Sequence, residues 1–244
     1  MVAATDFHTH ILPGIDDGSS CVEESLAMLR MEAEQGIGRV LATPHFYPRY
    51  ETPDSFLTKR EQAQKVLREA MVGQPDLPEL EVGAEVYYFR GISEMDCLKD
   101  LAIVGTDYIL IEMPMAPWQD TFFRELIQIR ERRGLIPVIA HIDRYITPLR
   151  TFGIPRKLEE LPVLVQANAS FFLKGSTSSM AMKMLRSDQI HLLGSDCHNL
   201  DSRKPNLGEA RSRIEHKLGP TVLQRLSKYE NLIFEPNIRN GVLL

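Results

Sequence analysis

Cysteine is scarce in this sequence: 244 residues include three, Cys21, Cys97 and Cys197, and no C-x-x-C. An odd, widely spaced set supports neither a disulfide framework nor a zinc ribbon, so the three are read as reduced thiols. Basic runs are missing as well. With 28 Lys and Arg against 33 Asp and Glu the net charge is −5, and no basic face is offered to a phosphate backbone, which argues against nucleic acid as a partner. No window approaches the roughly 18 apolar residues of a spanning helix, and "MVAATDFHTH" lacks the basic and apolar regions of a signal peptide. A cytoplasmic location without direct membrane insertion is expected. Nor is there an internal repeat, low-complexity tract or linker, so residues 1–244 are expected to form a single domain.

Apolar, β-branched stretches alternate with segments of helical period, the pattern of parallel strands joined by crossover helices and hence of an α/β fold. The expected strands are Thr5–Leu12, Arg39–His45, Glu81–Tyr87, Tyr108–Met113, Ile136–Ile142, Val163–Ala169 and Ile190–Asp196. A first helix should start at the S-x-x-E box of Ser20 and Glu23, bury Val22, Leu26, Leu29 and Ala33, and stop near Gly36. A second should run from a Thr52 cap and Pro53 to about Val72. Phe122–Arg133 and Asn206–Glu230, the latter divided around "LGP", supply others.

Polar residues sit where these strands end. Strand one carries His8 and His10, strand two ends at His45, three at Glu85, four at Glu112, five at His141, and seven at Asp196 and His198. In barrels of alternating strands and helices, chemistry sits at those C-terminal ends. A lone His45 or His141 is more often a hydrogen-bonded structural histidine, and a lone Glu85 an ion-pair partner; as a set they argue for a metal site. Residues i and i+2 of a strand share a face, so Asp6, His8 and His10 can converge, as can Asp196 and His198. Imidazole and carboxylate donors without clustered thiolates suit Zn²⁺, Mn²⁺ or Fe²⁺. Buried together, Asp17, Glu85, Glu112 and Asp196 would demand cations. His191 and His216 lie elsewhere and are read as structural. Phe46, Tyr47, Tyr50, Tyr87, Tyr88 and Trp118 either flank a phenol ring or cover the rim.

The segments "DFHTHILPGIDDGS", "TPHF", "GAEVYY", "LIEMP", "AHIDRY" and "GSDCHNLDSR", in this order, resemble the motifs of the PHP (polymerase and histidinol phosphatase) superfamily. The resemblance is closest to the bacterial metal-dependent protein-tyrosine phosphatases of capsule and exopolysaccharide gene clusters, and it covers roughly residues 5 to 205. It implies a distorted TIM-like (β/α)7 barrel, the PHP fold, with three divalent metal ions, manganese preferred and iron or zinc as other candidates. His8, His10, Glu85 and Asp196 would hold one metal, with Glu85 bridging to a second completed by Glu112 and His141. Asp17, His45 and His198 would hold the third. Four carboxylates against three divalent ions leave a formal +2 to attract a phosphate dianion. Arg144 and Arg203 match the arginines that contact substrate phosphate. Asp6, Asp16 and Asn168 are read as either supporting the ligands or structural. Two departures stand out: Asp143 replaces a glutamate of many relatives, and the loop "FYPRYETP" is less basic than in some of them.

The implied reaction is hydrolysis of a phosphotyrosine phosphomonoester by a hydroxide bridging the metals, with Arg144 and Arg203 neutralising the equatorial oxygens. The implied partner is a phosphotyrosine-containing protein, the tail of a bacterial tyrosine kinase of capsular or exopolysaccharide biosynthesis. The rival readings are a histidinol-phosphate phosphatase of the same superfamily, an amidohydrolase or TatD-type nuclease, which also begins with H-x-H, and a non-catalytic, metal-stabilised scaffold that docks a kinase. "CHNLDSR" also fits the C-x5-R spacing of cysteine-dependent tyrosine phosphatases, but it has no glycine and nothing near it in sequence activates Cys197.

Overall fold

A computed structural model describes residues 4–146 and 153–234; the ends of the expected single domain, 1–3 and 235–244, lie outside them. The strands are β1 (Ala4–Thr9), β2 (Ile37–Ala42), β3 (His45–Phe46), β4 (Glu79–Val82), β5 (Glu85–Tyr87), β6 (Tyr108–Glu112), β7 (Ile136–Ile139), β8 (Leu164–Asn168) and β9 (Leu192–Gly194). The α-helices are α1 (Val22–Glu34), α2 (Pro53–Met71), α3 (Asp120–Arg133), α4 (Ile142–Ile146), α5 (Ile154–Glu159), α6 (Ala169–Leu173), α7 (Ser178–Arg186), α8 (Leu207–Leu218) and α9 (Pro220–Phe234). Every strand pairing is parallel, in the orders β1-β2-β4 and β3-β5-β6-β7-β8-β9. The sheet curls so far that β1 meets the segment after β9: Asp196 N donates to His8 O at 2.8 Å and His10 N to Cys197 O at 2.9 Å. Seven staves thus stand in register with the seven expected strands, two of them interrupted.

The interruptions have a local cause. Pro44 has no N–H to give to a ladder, and the second stave breaks at Thr43–Pro44. The third breaks beside it at Gly83–Ala84, and Gly83 N to Ala42 O (2.8 Å) and Glu85 N to Pro44 O (3.0 Å) carry the pairing across. On β6 both faces are buried, as a covered parallel sheet requires. Ile109 and Ile111 belong to the large core under the helices, whereas Tyr108 and Leu110 join a second cluster with Phe7, Leu41, Val138, Leu164 and Leu192. Glu112 continues the Tyr108–Leu110 face to the strand end.

Helix α2 starts as expected: Thr52 Oγ1 accepts from Ser55 N at 3.3 Å, with Pro53 in the first turn. The start of α1 differs. Cys21 is the capping position, and Ser20 N and Oγ both reach Glu24 at 2.8 Å, so the returning carboxylate is Glu24 rather than Glu23. The buried stripe of α1 is Ser25, Met28, Leu29 and Glu32. Of the expected stripe only Leu29 is fully buried; a polar pair, Ser25 and Glu32, takes the inward positions because each finds a buried partner, Ser19 Oγ for Ser25 (2.8 Å) and Cys197 Sγ for Glu32 (4.0 Å).

Candidate metal centre

Because all strands run the same way, their C-terminal ends open on one side, and the loops there hold the polar side chains. Two glycines let the backbone close around them. At Gly18, in the D-D-G turn, a Cβ would meet His10 O at 2.2 Å; at Gly194 it would meet His8 Cβ at 2.5 Å. Beyond β7 and β9 the chain bends sharply, with His141 at φ 31° and Asp196 at φ 56°, values that non-glycine residues adopt only under local constraint.

His8, His10, Asp17, His45, Glu85, Glu112, His141, Asp196 and His198 fall into four overlapping groups in which one donor atom per residue lies within 4.8 Å of the others. The groups are His10–Asp17–His45–His198, His8–His10–Asp196, His8–Glu85–His141 and His45–Glu85–Glu112. Glu85 is the hub: Oε2 lies 3.1 Å from His8 Nε2, 3.3 Å from His10 Nε2 and 3.0 Å from His45 Nδ1, while Oε1 is 2.7 Å from His141 Nε2.

The hydrogen bonds at the back of the rings fix their tautomers. His10 Nδ1 donates to Asp16 Oδ2 (2.7 Å), His198 Nδ1 to the Asp196 carbonyl (3.0 Å), and His8 Nδ1 faces Gln166 Oε1 (3.4 Å). The Gln166 amide is itself oriented, since His141 N donates to Oε1 at 2.6 Å and Nε2 donates to Asn168 Oδ1 at 3.1 Å. A neutral ring that donates through Nδ1 presents a lone pair at Nε2. The Nε2 atoms of His8 and His10 stand 3.1 Å apart, two lone pairs facing each other. His198 Nε2, His141 Nδ1, His45 Nδ1 and Glu85 Oε2 are buried without a hydrogen-bond partner. Donor atoms so placed need positive charge between them, and Nδ1–H tied to a carboxylate or carbonyl behind the ring is how ligating imidazoles are held. The residues present fit divalent metal ions.

The electrostatics agree. Burial alone would raise the Glu85 carboxyl, but the His8 charge and the contacts of His10, His141 and His45 hold it well below the usual range. Asp196, equally buried, is held far below by His8, Arg144 and His10. Burial disfavours the charged form of His10, yet Asp16 and Glu85 push it up to about 10, and the same bond draws Asp16 down to about 2 against its own burial. His8 is raised by Glu85 and Asp196 against burial, whereas burial and neighbouring His10 push His198 down to about 4. Glu112 is raised by burial and by the charge of Glu85. Carboxylates held ionised beside imidazoles drawn toward their charged form make a pocket that favours positive charge.

Arg144 and Arg203 bracket Asp196. Arg144 Nη2 donates to Asp196 Oδ2 and Arg203 Nη2 to Oδ1 (2.8 Å), and their Nη1 atoms lie 3.8 Å from Glu112 and 3.9 Å from Asp17. Asp17, 65% exposed, stands 3.5 Å from His45 Nε2 and 3.4 Å from His198 Nε2 at the mouth.

Asp6 corrects one expectation. The β1 register slips between Asp6 and Thr9, so Asp6 does not converge with His8 and His10. It accepts from His8 N (3.1 Å) and Ser195 N (3.0 Å), and its carboxyl meets that of Glu32. Cys197 lies in the same layer, 1% exposed, with its thiol pushed well above the usual range by burial and by Glu32 and Asp6. Arg203 faces Asp196 instead, so "CHNLDSR" is not a phosphate loop around a reactive thiolate. Asp16 and Asn168 do support the cluster, Asn168 through Nδ2 to Asp196 Oδ2 (2.9 Å). One supporting residue, Gln166, went unread in the sequence; Tyr47, read there as flanking a phenol ring or covering the rim, donates its hydroxyl to Glu112 Oε2 at 3.4 Å. The signal for Gln166 was its position two residues before Asn168 on the one strand end with no expected ligand. His191 lies away from the cluster, its Nδ1 accepting from Val165 N at 3.0 Å.

Comparison with known proteins gives this arrangement a context. Tyrosine-protein phosphatase CpsB of Streptococcus pneumoniae is 31% identical over 236 residues, 91% of this chain and 93% of its own. Tyrosine-protein phosphatase YwqE of Bacillus subtilis (strain 168) is 28% identical over 245 residues, 93% and 90% of the two chains. A chain from the crystal structures of YwqE and CpsB, described as unique metal-dependent tyrosine phosphatases, matches with a TM-score of 0.84 at 24% identity, covering 98% of this chain and 96% of that one. That likeness establishes the fold, a curled parallel α/β sheet. Residues 4–232 match the capsular polysaccharide synthesis family CpsB/CapC, and with a relative 31% identical across nearly its whole length, this chain belongs to that family.

Proposed function

We propose that the protein is a metal-dependent phosphomonoesterase that hydrolyses phosphotyrosine in a protein substrate. The observation that carries this reading is the set of imidazole lone pairs turned inward on Glu85, with two guanidiniums at the rim. His8, His10, Glu85 and Asp196 would hold one divalent ion, Glu85, Glu112 and His141 a second, and Asp17, His45 and His198 a third, with manganese as the preferred metal. Bound there, such ions lower the pKa of water toward neutrality and act as Lewis acids on phosphoryl oxygens.

The chain's own residues do the rest. Asp16, Gln166 and the Asp196 carbonyl keep His10, His8 and His198 in the tautomer that presents Nε2 inward. Arg144 and Arg203 stay cationic, and each planar fork can turn two N–H donors to a phosphate without moving its charge. Burial of the inner ligands behind a half-exposed rim keeps the ligand cluster dry and strengthens each charge–charge contact. The kinship with tyrosine phosphatases of capsule synthesis supports a protein substrate, and a capsular tyrosine kinase is the partner we infer.

The test is phosphate release from a phosphotyrosyl peptide by wild type, Cys197→Ser and His141→Ala, with chelation and Mn²⁺ restoration. Cys197→Ser should retain most activity; His141→Ala and chelated enzyme should lose it, and Mn²⁺ should restore only the latter. Activity lost with Cys197 and kept under chelation, or faster turnover of histidinol phosphate than of the peptide, would overturn the reading.

A further inference from the structure

Beside the metal centre, the loop after β3 and the end of β5 form a recess of about 550 Å³ lined by Tyr47, Pro48, Arg49, Tyr50, Tyr87 and Phe89, with Tyr88 at its edge. It opens directly from the site: the Tyr47 ring lies 4.9 Å from the His45 ring and 5.5 Å from Tyr87, and the Tyr47 hydroxyl bonds Glu112. Tyr50 stands 6.2 Å from Tyr47, edge to face, and is 80% exposed. Other aromatics near the mouth are spoken for: Phe46 is wholly buried against Phe56, and Trp118 packs on Tyr145 and Phe123.

Tyr88 also lines a second recess of about 540 Å³, where Arg90, Arg124 and Glu125 stand among Gln119, Phe122 and Gln128. Arg49, Arg90 and Arg124 are all exposed, and no ion pair engages them among the described residues. The acids nearby are already engaged: Glu125 accepts from Tyr88 Oη and Gly91 N (2.6 Å), Glu51 from Lys59 (2.8 Å), and Asp120 from Lys157 (3.4 Å). In a chain of net charge −5, the two linings set three guanidiniums without ion pairs, Arg49, Arg90 and Arg124, against a single carboxylate, Glu125. An anionic segment is attracted along this side.

We propose that the two recesses, which share Tyr88 in their linings, together form a subsite for the acidic flank of a phosphotyrosyl peptide. The phenyl ring lies against Tyr47, Tyr50 and Tyr87, and Glu or Asp residues beside the phosphotyrosine pair with Arg49, Arg90 and Arg124. The inference rests on the phosphotyrosine reading above and adds the chemistry of the flanking sequence. The dipolar faces and edges of the tyrosines accept the ring at little cost in entropy, and the arginine contacts supply selectivity through charge at modest energy each.

The experiment uses two fluorescent peptides of equal length carrying the non-hydrolysable phosphonomethyl-phenylalanine, one flanked by glutamates and one by glutamines. Their binding to the Mn²⁺-loaded protein is followed by anisotropy for wild type and for Arg90→Gln/Arg124→Gln. Wild type should bind the glutamate peptide roughly 10-fold more tightly, a preference that shrinks as salt rises, and the double variant should bring the two within about twofold. Equal affinities in wild type, or a preference that survives in the variant, would overturn the subsite. Phosphate release from the phosphotyrosine versions of both peptides is read separately. Selective binding without release would sink the phosphatase reading and leave the subsite standing, whereas release without selectivity would do the reverse.

Discussion

Two pairs of carboxyls in this molecule are buried alike, yet they are driven in opposite directions. Glu85 and Asp196, at 0% and 4% exposure, are held below the carboxylate range; Asp6 and Glu32, both at 0%, are held above it. The first pair faces His8, His10, His141 and two arginines. The second pair faces backbone N–H groups, a thiol and itself; burial raises both acids, and the nearby Asp6 carboxyl raises Glu32 further. Burial costs both pairs the same kind of desolvation, and the sign is decided by what stands opposite. The outer pair is held ionised by the cationic groups around it; the inner pair is held toward the protonated form and ties β1 and α1 to the turn after β9.

The sharpest way to break this contrast is to take the charge from the outer pair. Asp196→Asn leaves Arg144 and Arg203 without their carboxylate and removes a donor from the His8–His10 group. We expect bound metal, measured after dialysis, to weaken by more than the ~10- to 100-fold that supporting residues command, with phosphatase activity lost in proportion. Gln166→Ala comes next, because it releases His8 Nδ1 and His141 N while leaving every donor atom of the cluster in place. A loss of ~10- to 100-fold in metal affinity, with the fold retained by circular dichroism, is the expected result; unchanged affinity would mean that Gln166 merely fills space.

How far the sequence foretells these two layers differs sharply. All seven staves and the convergence of eight polar side chains were legible, because alternation of apolar runs and strand-end polarity are local signals that survive folding; Asp17, off the strand ends, was assigned through the motif resemblance. The breaks at Pro44 and Gly83 shifted strand bounds by two or three residues without changing the count. Asp6 misled, since its i, i+2 spacing from His8 promised a shared face and the register slip in β1 cancelled it. Glu32 was invisible: on a helical wheel it reads as a solvent-facing acid, and only the return of residues 195–197 beside β1 gives it partners more than 160 positions away. Gln166 escaped for a similar reason, as an amide acts through whichever backbone it meets in three dimensions.

Within the inner pair, substitution should cost stability and spare metal. Glu32→Leu strands the Asp6 carboxyl, and a loss of ~1–3 kcal/mol in denaturant unfolding is expected with metal content intact; loss of metal instead would show that the two layers are one unit.

Glu32→Gln has the smallest effect near pH 4.5, and a pH dependence that identifies its cause. Burial and the nearby Asp6 carboxyl raise the Glu32 pKa well above its ordinary 4.5, so the native state keeps a proton that the unfolded chain has already released. The stability this group confers is therefore complete below pH 4.5 and declines as pH rises toward its folded value. Glutamine keeps a donor for Asp6 and does not titrate. Measured in chelator, the unfolding free energy of Glu32→Gln relative to wild type should climb with pH above 4.5, by at most ~1.4 kcal/mol per unit. A flat difference between pH 5 and 8 would show that Glu32 is ionised in the native state, and the contrast between the two carboxyl pairs would collapse.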